Sequence, residues 1–110
     1  MCNGKNDFGK AEMIICIEVA EHILPEHSEI LIDNLTNASY KYILFTSANA
    51  YNGTGHINVQ PPEWWQHLLE RRGFDLGKDE TKIARLCFDG LKTVYARHMK
   101  KAAKIYVKRG

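Results

Sequence analysis

Glu18, Glu21 and His22 fall within five residues of one another, at the end of the segment IICIEVAEHI, residues 14–23. A second imidazole, His56, lies in the loop segment GTGHIN, residues 53–58. These side-chain types hold ligands and move protons. A histidine with an ordinary pKa of about 6.5 gains or loses a proton near neutral pH, and a neighbouring carboxylate stabilises its charged form. The competing reading is structural: Glu21 and His22 open a loop and bind its backbone amides, because clustered ionisable groups mark sites only statistically. The functional reading gains from the segment that precedes them. Residues 12–18, EMIICIE, form a near-continuous apolar run, the pattern of a strand covered on both faces in a parallel sheet. In open α/β sheets ligands bind beyond the carboxyl ends of the strands.

The elements that must position these residues are written in the same pattern. Pro25 suits a first helical position, with Glu26 and Glu29 in the first turn and Ile30, Leu31, Leu35 and Ala38 on one face through about Tyr40. YILFTSA, residues 42–48, is a second apolar strand, so the order is strand, helix, parallel strand. Glu18 and the Ser47-Ala48-Asn49 segment then share one sheet edge, and the loop carrying His56 leaves from it. Pro61 and Pro62 open a helix, PEWWQHLLERR, with Trp65, Leu68 and Leu69 on its buried side and Gly73 ending it. Phe74 to Leu76 reads as a short strand. Asp79 caps a predicted helix from Glu80 to Met99, with Ile83, Leu86, Cys87, Leu91, Val94, Tyr95 and His98 near one stripe. AKIYVKR, residues 103–109, alternates and is expected as an antiparallel edge strand. The expected fold class is α/β: a small, mostly parallel sheet with an antiparallel C-terminal strand. Residues 1–10 read as a loose arm before a single domain over 11–110.

Composition narrows the function classes. The 110 residues are 45% apolar, enough for one globular core, and no stretch approaches the roughly 18 apolar residues of a membrane helix. MCNGKNDFGK has no apolar signal core. The three cysteines, Cys2, Cys16 and Cys87, lack CxxC spacing, which fits free thiols in a reducing cytoplasm. Cys16 and Cys87 both read as small buried hydrophobes. Of the adjacent tryptophans, one belongs in the core and the other in a pocket or an interface. Asn49, Tyr51 and Asn52 read as turn chemistry or acceptor contacts. The charge is uneven: of 15 Lys and Arg, seven fall in residues 91–110, where there is no acid. Such a segment suits nucleic-acid contact or, more simply, cations on a solvated helix C-terminus.

The run IICIEVAEHI, then YILFTSA, GHIN, a tryptophan-bearing helix and RRGF at 71–74, resembles the second half of a class I S-adenosylmethionine-dependent methyltransferase with its Rossmann-like sheet. The resemblance spans about residues 11–110, and each motif is weak alone. It implies strands equivalent to the family's fourth to seventh, S-adenosylmethionine as cofactor, Glu18, Val19 and Glu21 on the cofactor side, and His22 and His56 toward the methyl acceptor. The family's Gly-rich turn and the acid ending its second strand have no counterpart here. The single G-x-G, Gly53-Thr54-Gly55, runs into a loop and then Pro61 rather than a helix. The expectation is therefore an incomplete domain, weak or inactive alone. Within the same fold, small-RNA 2′-O-methyltransferases bind a divalent metal through an E-x-x-E-H segment and a later histidine. Glu18, Glu21, His22 and His56 reproduce those types, which suit Mn²⁺, Fe²⁺ or Zn²⁺.

Without the family's first strand beside it, the strand at 12–18 is an apolar edge. A homo-oligomer that covers this edge is expected. The rival to an enzyme is a non-catalytic module that binds nucleic acid through the basic C-terminus or a protein through that edge.

Overall fold

The computed structural model describes residues 10–48, 55–89 and 93–110. The arm at 1–9, Asn49, Tyr51, Asn52 and the Gly53-Thr54 pair lie outside the described residues. Four strands form one sheet: β1 (Ala11–Ile17), β2 (Ser39–Thr46), β3 (Phe74–Leu76) and β4 (Lys104–Lys108), in the order β1-β2-β4-β3. β1 and β2 are parallel, with Ile14 opposite Ile43 and Cys16 opposite Phe45. The crossover between them is α1 (Ser28–Ala38), entered through a tight turn at Pro25–His27 where proline's fixed φ suits the start. α2 (Pro62–Glu70) also begins on a proline. It closes through Gly73, whose φ of +86° is the left-handed geometry that glycine adopts without strain.

One core joins these pieces. Cys16, Ile32, Ile43, Phe45, Trp65 and Tyr106 are all buried in it, with Leu69 and Phe74 beside them. Phe45 packs against Trp65 and Tyr106 with ring centroids 5.6 and 6.5 Å apart. α1 and α2 are clamped together at the surface. Arg72 bonds the carboxylates of Asp33 and Glu29, and Arg71 bonds Glu29 at 2.6 Å. Thr81 of α3 (Lys78–Cys87) anchors that helix to β4 by accepting from the Ile105 amide at 2.8 Å.

Four expectations are corrected. The strand at 12–18 is not covered on both faces: Cys16 is buried, but Ile15 is 61% and Met13 41% exposed. α1 packs on β1 and β2 from the Cys16 side, and no described element lies over Met13 and Ile15. The C-terminal strand is not an edge. β4 runs antiparallel between β2 and β3. The consecutive residues Ile105 and Tyr106 point to opposite faces and are both buried, Tyr106 in the core with Phe45 and Trp65 and Ile105 on the side where Thr81 of α3 packs. The helix expected over 80–99 is two helices, α3 and α4 (Val94–Ala102), and α3 starts at Lys78 with Gly77 at its N-cap. The turn-forming pair Asp89-Gly90 interrupts the helical sequence there. The apolar stripe fails on α3 as well: Ile83, Leu86 and Cys87 face solvent, and the buried residue is Thr81. Among the described residues, no helix is long and apolar enough to cross a membrane.

Candidate functional site

The carboxyl ends of β1 and β2 lie side by side, so the chain leaving one strand meets the chain leaving the other. Glu18, just past β1, has a φ of +56°, in the left-handed region that a non-glycine residue enters only under constraint. Thr46 supplies the constraint. Its backbone carbonyl and its Oγ1 both accept from the Glu18 amide, at 3.3 and 3.0 Å, and its hydroxyl donates to Glu18 Oε2 at 3.1 Å. The other oxygen, Oε1, pairs with His98 Nε2 of α4 at 3.0 Å. The Glu18 carboxylate therefore ties β1, β2 and α4 together.

Glu21 points elsewhere. It sits in the helical turn Ala20–His22, and its side chain is 1% exposed. Its carbonyl accepts from the amides of Ile57 and Asn58 at 2.9 and 3.0 Å. Asn58 is buried and donates to Ser28 Oγ at 2.7 Å. These bonds fasten the GHIN loop over the turn and carry His56 to Glu21. Glu21 Oε2 then lies 3.8 Å from His22 Nε2 and 3.9 Å from His56 Nε2, and the two rings meet edge-on at 4.9 Å. His22 Nδ1 lies 2.9 Å from the Gly55 carbonyl. A carbonyl only accepts, so Nδ1 is the donor in this bond, which leaves Nε2 as the nitrogen turned toward Glu21. Gly55 has a φ of +77°, and a Cβ there would sit 3.1 Å from that Nδ1.

This trio fits a transition-metal ion. Bonds of about 2.0–2.2 Å from imidazole nitrogen and carboxylate oxygen put neighbouring ligand atoms roughly 3.3 Å apart, so the 3.8 and 3.9 Å gaps to Glu21 would each close by about half an ångström on binding. The three ligand atoms lie within 4.8 Å of one another. Glu21 Oε1 is buried with no hydrogen-bond partner among the described residues, an expensive arrangement for a carboxylate unless a cation neutralises it. The His22–Gly55 bond is the kind that orients metal-binding imidazoles. Glu18 stands apart from the trio.

Beside the trio opens a cavity of about 540 Å³. Phe45, Pro62, Trp65 and Tyr106 give it an aromatic and apolar wall, and Thr46, Ser47 and Ala48 form the strand-end margin. Glu18, His56, His98, Lys101 and Lys104 supply the ionisable groups. Burial, with a smaller push from Arg85, holds the Lys104 ammonium below the usual lysine pKa. Burial raises the Tyr106 phenol above its ordinary value.

The sequence-derived residues thus divide. Glu21, His22 and His56 converge, Glu18 faces the cavity beside His98, and Val19 is partly exposed next to them. His98, Lys101 and Lys104 escaped sequence reasoning, their only signal being the basic composition of residues 91–110. Trp65 fills the core place and also lines the cavity, and Trp64 packs partly buried against it.

No protein-family model matches the chain, and no curated protein sequence does. Solved structures resemble it. Magnesium protoporphyrin IX methyltransferase from Synechocystis PCC 6803, crystallised with bound SAH, superposes with a TM-score of 0.59 at 16% identity, over 93% of this chain and 46% of that one. An O-methyltransferase family protein from Burkholderia thailandensis gives 0.56 at 10% identity, over 94% of this chain and 32% of that one. The chain spans less than half the length of either. At these identities the likeness is one of fold: the four-stranded mixed sheet and its helices are similar to part of a methyltransferase fold.

Proposed function

We propose that this chain forms the acceptor-side part of an S-adenosylmethionine-dependent methyltransferase, with β1 to β4 as the family's fourth to seventh strands. The observation that carries the reading is His56, which lines a cavity beyond the ends of two parallel strands while its Nε2 lies 3.9 Å from a buried carboxylate. Methyl transfer needs an acceptor held in line and rid of its proton. The cavity does the holding, and its apolar wall excludes water. The His56 imidazole takes the proton of an acceptor hydroxyl or amine, and Glu21 stabilises the imidazolium that results. His22, fixed by Gly55, shares that carboxylate. The cofactor, when bound, supplies the methyl group as a sulfonium. Glu18 and Val19 border its methionine end, and Glu18 is already held rigid by Thr46 and His98.

Calorimetric titration of the chain with S-adenosylhomocysteine tests the reading. The expected outcome is micromolar binding, weakened about tenfold or more in Glu18→Ala, as for loss of a charged hydrogen bond. Silence up to millimolar ligand would remove the cofactor role from Glu18, Val19 and Glu21. The chain would then stand as a non-catalytic binding module.

A second reading is favoured by the orphaned Glu21 Oε1: the trio holds a divalent transition metal, which would polarise the acceptor oxygen. Cobalt(II) is the convenient probe. Its visible absorption is expected to appear with the chain, to vanish in Glu21→Gln and His22→Ala, and to persist in Glu18→Gln, because Glu18 lies outside the trio. Absorption that depends on Glu18 would overturn this ligand set.

A further inference from the structure

We infer that the cavity at the carboxyl ends of β1 and β2 selects an anionic ligand: a planar, largely apolar molecule bearing a carboxylate or a phosphate, with Lys101 and Lys104 holding the anion. As the identity of the acceptor, this rests on the methyltransferase reading; as a binding property it stands alone.

The charge arrangement is the first ground. Among the described residues lining the cavity, Glu18 is the sole acid, and His98 already pairs with it at 3.0 Å. Lys101, in the last turn of α4, and Lys104, the first residue of β4, make no ion pair among the described residues. Lys104 is half-buried, and Glu63 acts on it only at longer range. A lysine drawn into an apolar wall with no carboxylate in contact keeps its charge at a cost, and an anion arriving in the cavity removes that cost. The position is fixed by the sheet, since Lys104 pairs with Phe45 in the β2–β4 register and its backbone cannot withdraw.

The apolar wall is the second ground. Phe45, Trp65 and Tyr106 are packed rings, none more than 3% exposed, whose faces or edges border the space. Trp65 Nε1 is buried without a hydrogen-bond partner among the described residues, so a donor stands unused in the aromatic wall. A volume of about 540 Å³ falls in the range of small-molecule sites. Packed rings and ammonium groups lining one space describe an amphipathic anion better than a sugar or a neutral amine. His56 lies on the same cavity, so the bound molecule is within its reach.

The test uses the intact chain without cofactor, so its result does not depend on methyl transfer. 2-Naphthoate, 2-naphthyl phosphate and the neutral isostere 2-naphthamide are titrated by calorimetry, with ligand-observed NMR at weak affinity. At least one anion is expected to bind about tenfold more tightly than the amide, the gain expected of a charge-assisted contact. The tighter of the two anions identifies the group. Lys101→Gln and Lys104→Gln are each expected to erase most of that preference, and Lys104→Arg, which keeps the charge, to restore it. The circular dichroism of each variant guards against misfolding, and Lys101, being exposed, is the safer position. Equal affinity for amide and anions, or anion binding untouched by both Lys→Gln changes in folded protein, would overturn the inference.

Discussion

Glycine at 55 is required twice over, by its backbone angle and by the ring beside it. Gly55→Ala would strain a φ of +77° and press a methyl group to 3.1 Å from His22 Nδ1. A destabilisation of about 1–2 kcal/mol is expected from the backbone strain, read by urea denaturation, together with loss of cobalt(II) binding as His22 turns. The thiols divide as sharply. Burial, with a smaller push from Glu21, raises the Cys16 pKa to about 12, and Cys87 is exposed. Thiolate is the reacting species, so brief iodoacetamide treatment at pH 8 is expected to label Cys87 and spare Cys16, as peptide mass mapping would show. Sequence reading placed Cys16 correctly because it sits amid an apolar run. It misplaced Cys87 because a helical stripe does not reveal which stripe the sheet will take. The chemistry-bearing set was legible only in part. Residue types named Glu21, His22 and His56, but that Glu18 turns toward His98 depends on a left-handed φ and a contact 80 residues distant, which no local pattern encodes.

The elements depend on a few side-chain clamps. Glu29 is held below the usual carboxylate pKa, first by its hydrogen bond from Arg72 and next by the charge of Arg71. Its folded-state pKa is depressed, so its contribution is complete above the unfolded pKa of about 4.3 and is lost as pH falls through the lower folded value. Wild-type protein should therefore lose thermal stability on acidification below about pH 4.5 more steeply than Glu29→Gln, as calorimetric scans from pH 3 to 6 would show. A Glu29→Gln curve parallel to wild type would remove the clamp from the account. β1 has a different need. It is a sheet edge bearing exposed Met13 and Ile15, and edges of that kind recruit strands. If a second copy covers it, light scattering should report a dimer that Ile15→Lys dissociates without unfolding. A wild-type monomer at high concentration would count against self-pairing. The strand–helix–strand order was readable from apolar runs and prolines. The coverage of each strand was not, because it depends on which helices reach which face.

Across the whole molecule, the cavity is a compromise between packing and charge. Lys104 carries a depressed pKa because burial penalises its ammonium. The folded protein then binds fewer protons than the unfolded chain between the depressed value and the ordinary one near 10.4. The penalty is present in full below the folded pKa and disappears as pH rises through the unfolded one. Lys104→Met should raise stability at pH 7 by no more than about 1 kcal/mol, since the group is half-exposed and screened. The gain should shrink toward pH 11, and the same change should weaken binding of the anion. A variant less stable than wild type at pH 7 would show that the lysine stem's packing outweighs its charge.

The interior place of β4 has a consequence for synthesis. A ribosome delivers the strands in the order β1, β2, β3, β4, but the sheet needs β4 to join β2 to β3. Until residues 104–108 emerge, the β1–β2 pair has one flank bare, β3 has no partner, and α2 and α3 have half a surface to rest on. The nascent chain must therefore wait for its fourth strand, with β3 unpaired and β2 short of its second neighbour. Closure of this sheet thus follows the synthesis of β4, and until then β3 and the bare flank of β2 are the surfaces a chaperone would have to shield.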